Sequence, residues 1–127
     1  MRLPAHLTAS GRSLLAYMPR PHVRALYPGT GGFVDRTRAG PASPSELHEL
    51  LNRERRRGWS LEEGEVSEGL SSVAATTFDH NGVPLAAISL TVPSARPGGA
   101  VALARHARRA AADLTRRLGG KLSEIPR

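Results

Sequence analysis

The chain contains no cysteine among its 127 residues. Within it, that excludes a disulfide framework, a thiol nucleophile and a thiolate-held zinc or iron–sulfur centre. Aromatic residues are scarce, with two Phe, two Tyr and one Trp, too few for the base-stacking platforms of a single-strand nucleic-acid binder. No apolar run approaches the ~20 residues needed to cross a bilayer. The first residues carry one Arg but no apolar stretch of the kind found in secretory signals. What remains is expected to be one soluble, basic, cytoplasmic domain, with 39% apolar residues for a modest aliphatic core.

Basic side chains are also missing from one internal stretch. Residues 59–92 hold five acids and no Lys or Arg, a balance of −5. Residues 1–58 and 93–127 each stand at +6, so the net charge of +7 lies in two flanks around an acidic centre. A nucleic-acid binder concentrates one sign on a docking element. Opposite blocks in a small domain more often complement each other or a partner subunit. A basic nucleic-acid-binding protein is therefore the alternative reading here, not the first.

Local signals mark out an α+β order of helix, helix, strand, hairpin, helix. Residues 10–18 read as a helix with Leu14, Leu15 and Met18 on one face, capped by Thr8 or Ser10 and ended by Pro19 and Pro21. Residues 22–27 allow one further turn before the Gly29 to Gly32 break, a flexible turn that lacks the lysine of a phosphate loop. Ser43, Pro44 and Glu46 form a capping-box start. Leu47, Leu50 and Leu51 then give the buried face of a helix to Arg57, stopped by Gly58 in a left-handed conformation. Strands are expected over 59–62, 72–78 and 83–92, the last two joined through Asn81-Gly82. From Gly99, Ala104, Ala107, Ala111, Leu114 and Leu118 form the inner stripe of an arginine-rich helix closed by Gly119-Gly120.

Few residues suggest catalysis. The five histidines stand apart, and neither a metal-ligand spacing nor a carboxylate pair is visible. Glu62 and Glu63 are adjacent, so in a strand they face opposite sides. The run from Arg53 to Arg57 would suit phosphate contacts, but it equally suits the negative end of a helix dipole. No cofactor is called for.

The residues resemble a family. Pro4, His6, Gly11, Arg12, Leu15 and Ala16 are similar to the segment entering the effector-binding domain of IclR-type transcription regulators. Thr37, the helix from Pro44 to Gly58 and Trp59 follow in order. The stretch from Gly64 to Ala75 is similar to the family's most recognisable pattern, continued by Phe78 to Gly82 and by Ala86 to Thr91. The resemblance runs from Leu3 to Gly120. Two departures stand out: Arg12 replaces a common Lys, and Thr76 replaces a Pro, so strand pairing is expected to differ at Thr76.

The resemblance implies a GAF/PAS-like antiparallel sheet flanked by helices, with a non-enzymatic sensing pocket beside the sheet. It implies a small organic effector (an organic acid or an aromatic), a homodimer or tetramer, and DNA contact only through a separate winged helix-turn-helix domain, with no membrane role. On this reading residues 1–120 are the later portion of the effector-binding domain, N-terminally truncated, and 121–127 a tail. A ligand-free dimerisation remnant is the third possibility. The pocket positions carried over are Ala9 and Ser10 at the first helix entrance, then Glu62, Leu70 and Ser72, and Ser89 and Thr91 on the last strand. Ser89 and Thr91 alternate, so they share a face. Hydroxyls and backbone N–H groups can hold a carboxylate without a cation, whereas an ionised Glu62 would repel one. The same hydroxyls also suit an ordinary sheet.

Overall fold

Thr8 sets the first helix: its hydroxyl accepts the Gly11 N–H at 2.9 Å and caps α1 (Ala9–Leu15). The computed structural model describes residues 3–33, 37, 39–94 and 99–121. The expected tail falls outside them beyond residue 121. Helix α1 stops three residues earlier than its apolar pattern suggests. Tyr17 and Met18 bond only to carbonyls three residues back, because a residue before proline is pushed out of the helical region. Pro19 and Pro21 also do more than end a helix. Pro19 is the N-cap of α2 (Arg20–Leu26), and Pro21 sits in its first turn, where the missing N–H has no helical partner to lose. The glycine break contains one short 3₁₀ turn, Thr30–Gly32.

Helix α3 (Pro44–Arg57) starts and stops where its caps dictate. Ser43 Oγ accepts the Glu46 N–H at 3.2 Å, while the Glu46 carboxylate takes the Ala42 N–H at 2.6 Å, one residue before the usual target of a capping box. Gly58 closes the helix at φ 88°. The inner stripe, however, is Leu47, Leu51 and Glu54, with Leu50 only half-buried.

Three strands, β1 (Ser60–Glu63), β2 (Leu70–Phe78) and β3 (Pro84–Pro93), form an antiparallel sheet in the order β1-β2-β3. The β2–β3 turn is built on Asp79, whose side chain accepts the Asn81 and Val83 N–H groups at 2.8 and 3.0 Å, with Gly82 at φ 75°. Pairing is regular at Thr76, which sits opposite Ala87; the irregularity falls between Thr77 and Phe78. The Thr76 side chain donates its hydroxyl to the Ser13 carbonyl at 2.7 Å, a bond that a proline there could not make.

Helix α4 (Gly99–Arg117) covers one face of the sheet. Its buried alanines 104, 107 and 111 meet Val73 and Ala75, with Leu61, Ile88 and Leu90 around them. Such small side chains let helix and strand backbones approach closely. The last inward position is Thr115, not Leu118, which is 54% exposed. Thr115 Oγ1 donates to the Ala111 carbonyl at 2.8 Å and accepts the Phe78 N–H at 3.2 Å. Helix α1 lies on the opposite face, backed by α3 through Leu15, Ala16, Leu47 and Leu51.

Candidate functional site

On the α1 side of the sheet, the strand register lines polar residues up in rows. Glu62, Ser72 and Thr91 form one row across all three strands; Ser60, Ala74 and Ser89 form the next. The Ser72 and Thr91 hydroxyls share a hydrogen bond of 2.7 Å. Ala9 and Ser10, the first two residues of α1, border the same space. A loop returns over it between Gly64 (φ 66°) and Gly69 (φ 83°), glycines whose left-handed backbones suit no other residue well. The result is a cleft of about 350 Å³ lined by all seven residues expected from the sequence, Ala9, Ser10, Glu62, Leu70, Ser72, Ser89 and Thr91. Leu3, Thr8, Val66 and Ser67, not anticipated, complete the lining.

Glu62 is buried and has a defined role in shaping this cleft. Its Oε2 accepts the Glu65 N–H at 3.0 Å and holds the loop. Glu63, its neighbour, is exposed and points away, so the two carboxylates do not face each other. The lining contains this one carboxylate and no Lys, Arg or His. Six hydroxyls and one carboxylate can bind a ligand that carries hydroxyls of its own. Among the described residues, no cluster of three His, Asp or Glu could hold a metal, and no helix is long and apolar enough to span a membrane.

The residue that the sequence most understated is Arg12. Its side chain is 0% exposed, and it ties α1 to four other segments. The Nη1 donates to Glu65 Oε1 at 2.5 Å and to the His6 carbonyl at 3.5 Å, Nη2 donates to the Leu61 carbonyl, and Nε lies 3.3 Å from Glu54 Oε1. Glu54 in turn accepts the Leu61 N–H at 2.9 Å, and Glu65 the Glu63 N–H at 3.2 Å. Burial pushes the Glu54 carboxyl above its ordinary range, opposed first by Arg12. The loop that walls the cleft is thus anchored through Glu65 to a buried guanidinium. Thr37 adds a hydroxyl bond to the Gly64 carbonyl. Basic and acidic charge blocks do complement each other here, within one chain. A basic residue four positions beyond Thr8 and two acidic ones far along the chain were the only available signal. Nothing local says they meet.

The remaining basic residues are distributed. Arg57 stacks over Trp59 at 3.9 Å and reaches Glu54 at 3.5 Å. Arg105, Arg108, Arg109, Arg116 and Arg117 lie on the exposed face of α4, with Arg116 paired to Asp113 at 2.7 Å.

Comparison with known proteins defines first a class, the C-terminal domains of bacterial transcription regulators, and then a family. The repressor BlcR of Agrobacterium tumefaciens superposes with a TM-score of 0.86 at 30% identity, over 94% of this chain and 49% of that one. The transcriptional repressor IclR of Escherichia coli is 36% identical over 95 residues, 75% of this chain and 34% of its own length. The glycerol operon regulatory protein of Streptomyces coelicolor is 35% identical over 88 residues, 69% of this chain and 34% of its own. The family model for the bacterial transcriptional regulator IclR C-terminal domain matches residues 1–116. The chain belongs to the IclR family of transcription regulators, as its C-terminal domain. It spans about a third of the length of the curated relatives it matches.

Proposed function

We propose that this chain is the sensing part of an IclR-type regulator, and that the cleft between α1 and the sheet binds a small organic effector bearing hydroxyl groups. One observation carries this: residues from α1, the three strands and the 64–69 loop converge on a single hydroxyl-rich cleft of about 350 Å³. That volume lies at the small end of ligand sites, which run from about 300 to 1,000 Å³. Ser72, Ser89 and Thr91 offer donors and acceptors, and Glu62 accepts from a ligand hydroxyl. Leu3, Val66 and Leu70 supply the cleft's apolar wall. A strongly anionic ligand meets Glu62 with no cation to offset it, so hydroxyl groups, more than a carboxylate, are recognised. The relative named for a glycerol operon fits a small oxygen-rich effector.

The cleft presents no nucleophile–base pair and no second carboxylate, which supports sensing without catalysis. DNA contact is assigned to a winged helix-turn-helix domain outside this chain, and the protein to the cytoplasm, as a dimer or tetramer. Kinship with GAF and PAS sensors belongs to the same proposal. Isothermal titration with polyols, hydroxy acids and aromatic acids tests the reading. Saturable binding should be weakened about 3- to 10-fold by Ser89→Val or Thr91→Val, the loss of one neutral hydrogen bond. No saturable ligand, or equal affinity in both variants, would sink the reading. Salt-sensitive duplex DNA binding would instead favour the basic nucleic-acid binder.

A further inference from the structure

A second cleft, of about 260 Å³, lies at the other end of α1 and shares no lining residue with the first. Its floor is apolar, formed by Leu15 and Ala16 from the end of α1, Val23 from α2, and Leu47 and Leu51 from α3. Its mouth carries Arg20 and Arg24 from α2 and Arg55 from α3, with His48 and Asn52 between them. No Asp or Glu lines it. Among the described residues, none of these three arginines makes an ion pair. Unpaired guanidiniums on one surface repel each other, and two helices here bring three of them to a single opening.

The polar groups along α3 are held in place. The Asn52 side-chain amide lies 3.2 Å from His48 Nε2, and Asn52 Oδ1 accepts from Arg55 Nη2 at 2.8 Å. Arg55 Nη1 donates to the Ala16 carbonyl at 3.5 Å, while its Nε is buried with no partner. Burial, and then the field of Arg20, Arg24 and Arg55, hold the His48 imidazole below its ordinary range, with Glu49 opposing. The cleft thus combines an apolar floor with three arginines and no carboxylate.

We propose that this second cleft binds a small amphiphilic anion, a carboxylate whose apolar body lies on the Leu15, Leu47 and Leu51 floor and whose head meets Arg20, Arg24 and Arg55. A cavity of about 150 Å³ accepts benzene, so 260 Å³ accommodates a six- to eight-carbon body with its head at the mouth. The first cleft, with Glu62 and no cation, disfavours the same ligand. The two clefts therefore sort ligands by charge, and the second stands whether or not the first binds an effector.

Octanoate is a suitable probe with the full chain, read by calorimetry and by the NMR titration of His48. Binding should saturate at one site, raise the His48 pKa as the carboxylate arrives, and weaken about tenfold or more in Arg20→Gln/Arg24→Gln. Both arginines are exposed, so that variant should keep the parent circular dichroism and denaturation midpoint. Thr91→Val should leave octanoate affinity unchanged, and octylamine should not compete. An affinity indifferent to the double substitution, one lost on Thr91→Val, an unmoved His48 titration, or equal binding of octylamine overturns the assignment.

Discussion

Replacing Arg12 by methionine keeps the aliphatic stem inside the protein and deletes the guanidinium. Behind it remain two carboxylates, Glu54 at 2% and Glu65 at 8% exposure, and a Leu61 carbonyl without its side-chain donor. Breaking a buried ion pair from one side costs about 3–5 kcal/mol. The lower part of that range applies, because Glu54 keeps the Leu61 N–H at 2.9 Å and Arg57 at 3.5 Å. A domain of this size has a total stability of about 5–15 kcal/mol, so the loss is a large share of it. With a urea m-value of about 1–3 kcal/mol per molar, the midpoint should fall by about 1 M or more. The loss should also depend on pH. Burial raises Glu54, and Arg12 is the largest opposing influence, so without Arg12 its folded-state pKa rises further. A carboxyl raised above its unfolded value contributes stability below that value and loses it as pH rises through the folded pKa. The variant's deficit should therefore be smallest near pH ~4.5, close to the unfolded glutamate pKa, and grow toward neutrality. Urea titrations followed by circular dichroism at both pH values measure this. A deficit below about 1 kcal/mol at neutral pH, or one of equal size at both, would refute the view that the triad is held by charge.

Other outcomes follow from single contacts. Ser43→Ala removes the hydroxyl that accepts the Glu46 N–H and should lower stability by about 1 kcal/mol, read as a drop in thermal midpoint. Gly120→Ala places a methyl on the Phe78 carbonyl oxygen, so it should destabilise by about 1–3 kcal/mol through displacement of the α4 end from the hairpin. Asp79 is held below the ordinary carboxylate range by the Val83 and then the Asn81 N–H. Its advantage over Asp79→Ala should be complete above the unfolded aspartate pKa and fade as pH falls through the folded one, as measured by urea midpoints across that interval.

How much was legible in the sequence depended on how far apart the interacting groups lie. Ser43, Gly58 and Gly82 act on the backbone locally, so helix α3 could be read with its ends and the β2–β3 hairpin by its turn. The cleft residues were reached by likeness to a family, and all seven line one space. Their alternation along strands put Ser89 and Thr91 on one face, but the register that sets Glu62 beside Ser72 and Thr91 is a property of pairing. Leu118 looked like core by spacing, whereas the helix ends at Arg117 and Thr115 takes the inward place beside Phe78.

By itself, the sequence determined where α3 begins and stops, which segments extend, and the family to which the chain belongs, because those depend on local hydrogen bonds and on residue order. Tertiary structure alone decided that Arg12 would meet Glu54 and Glu65, 42 and 53 positions away, and that two clefts of opposite polarity would open at the two ends of α1. A charge is stabilised or penalised by what surrounds it in space, and those neighbours come from elements that only packing brings together.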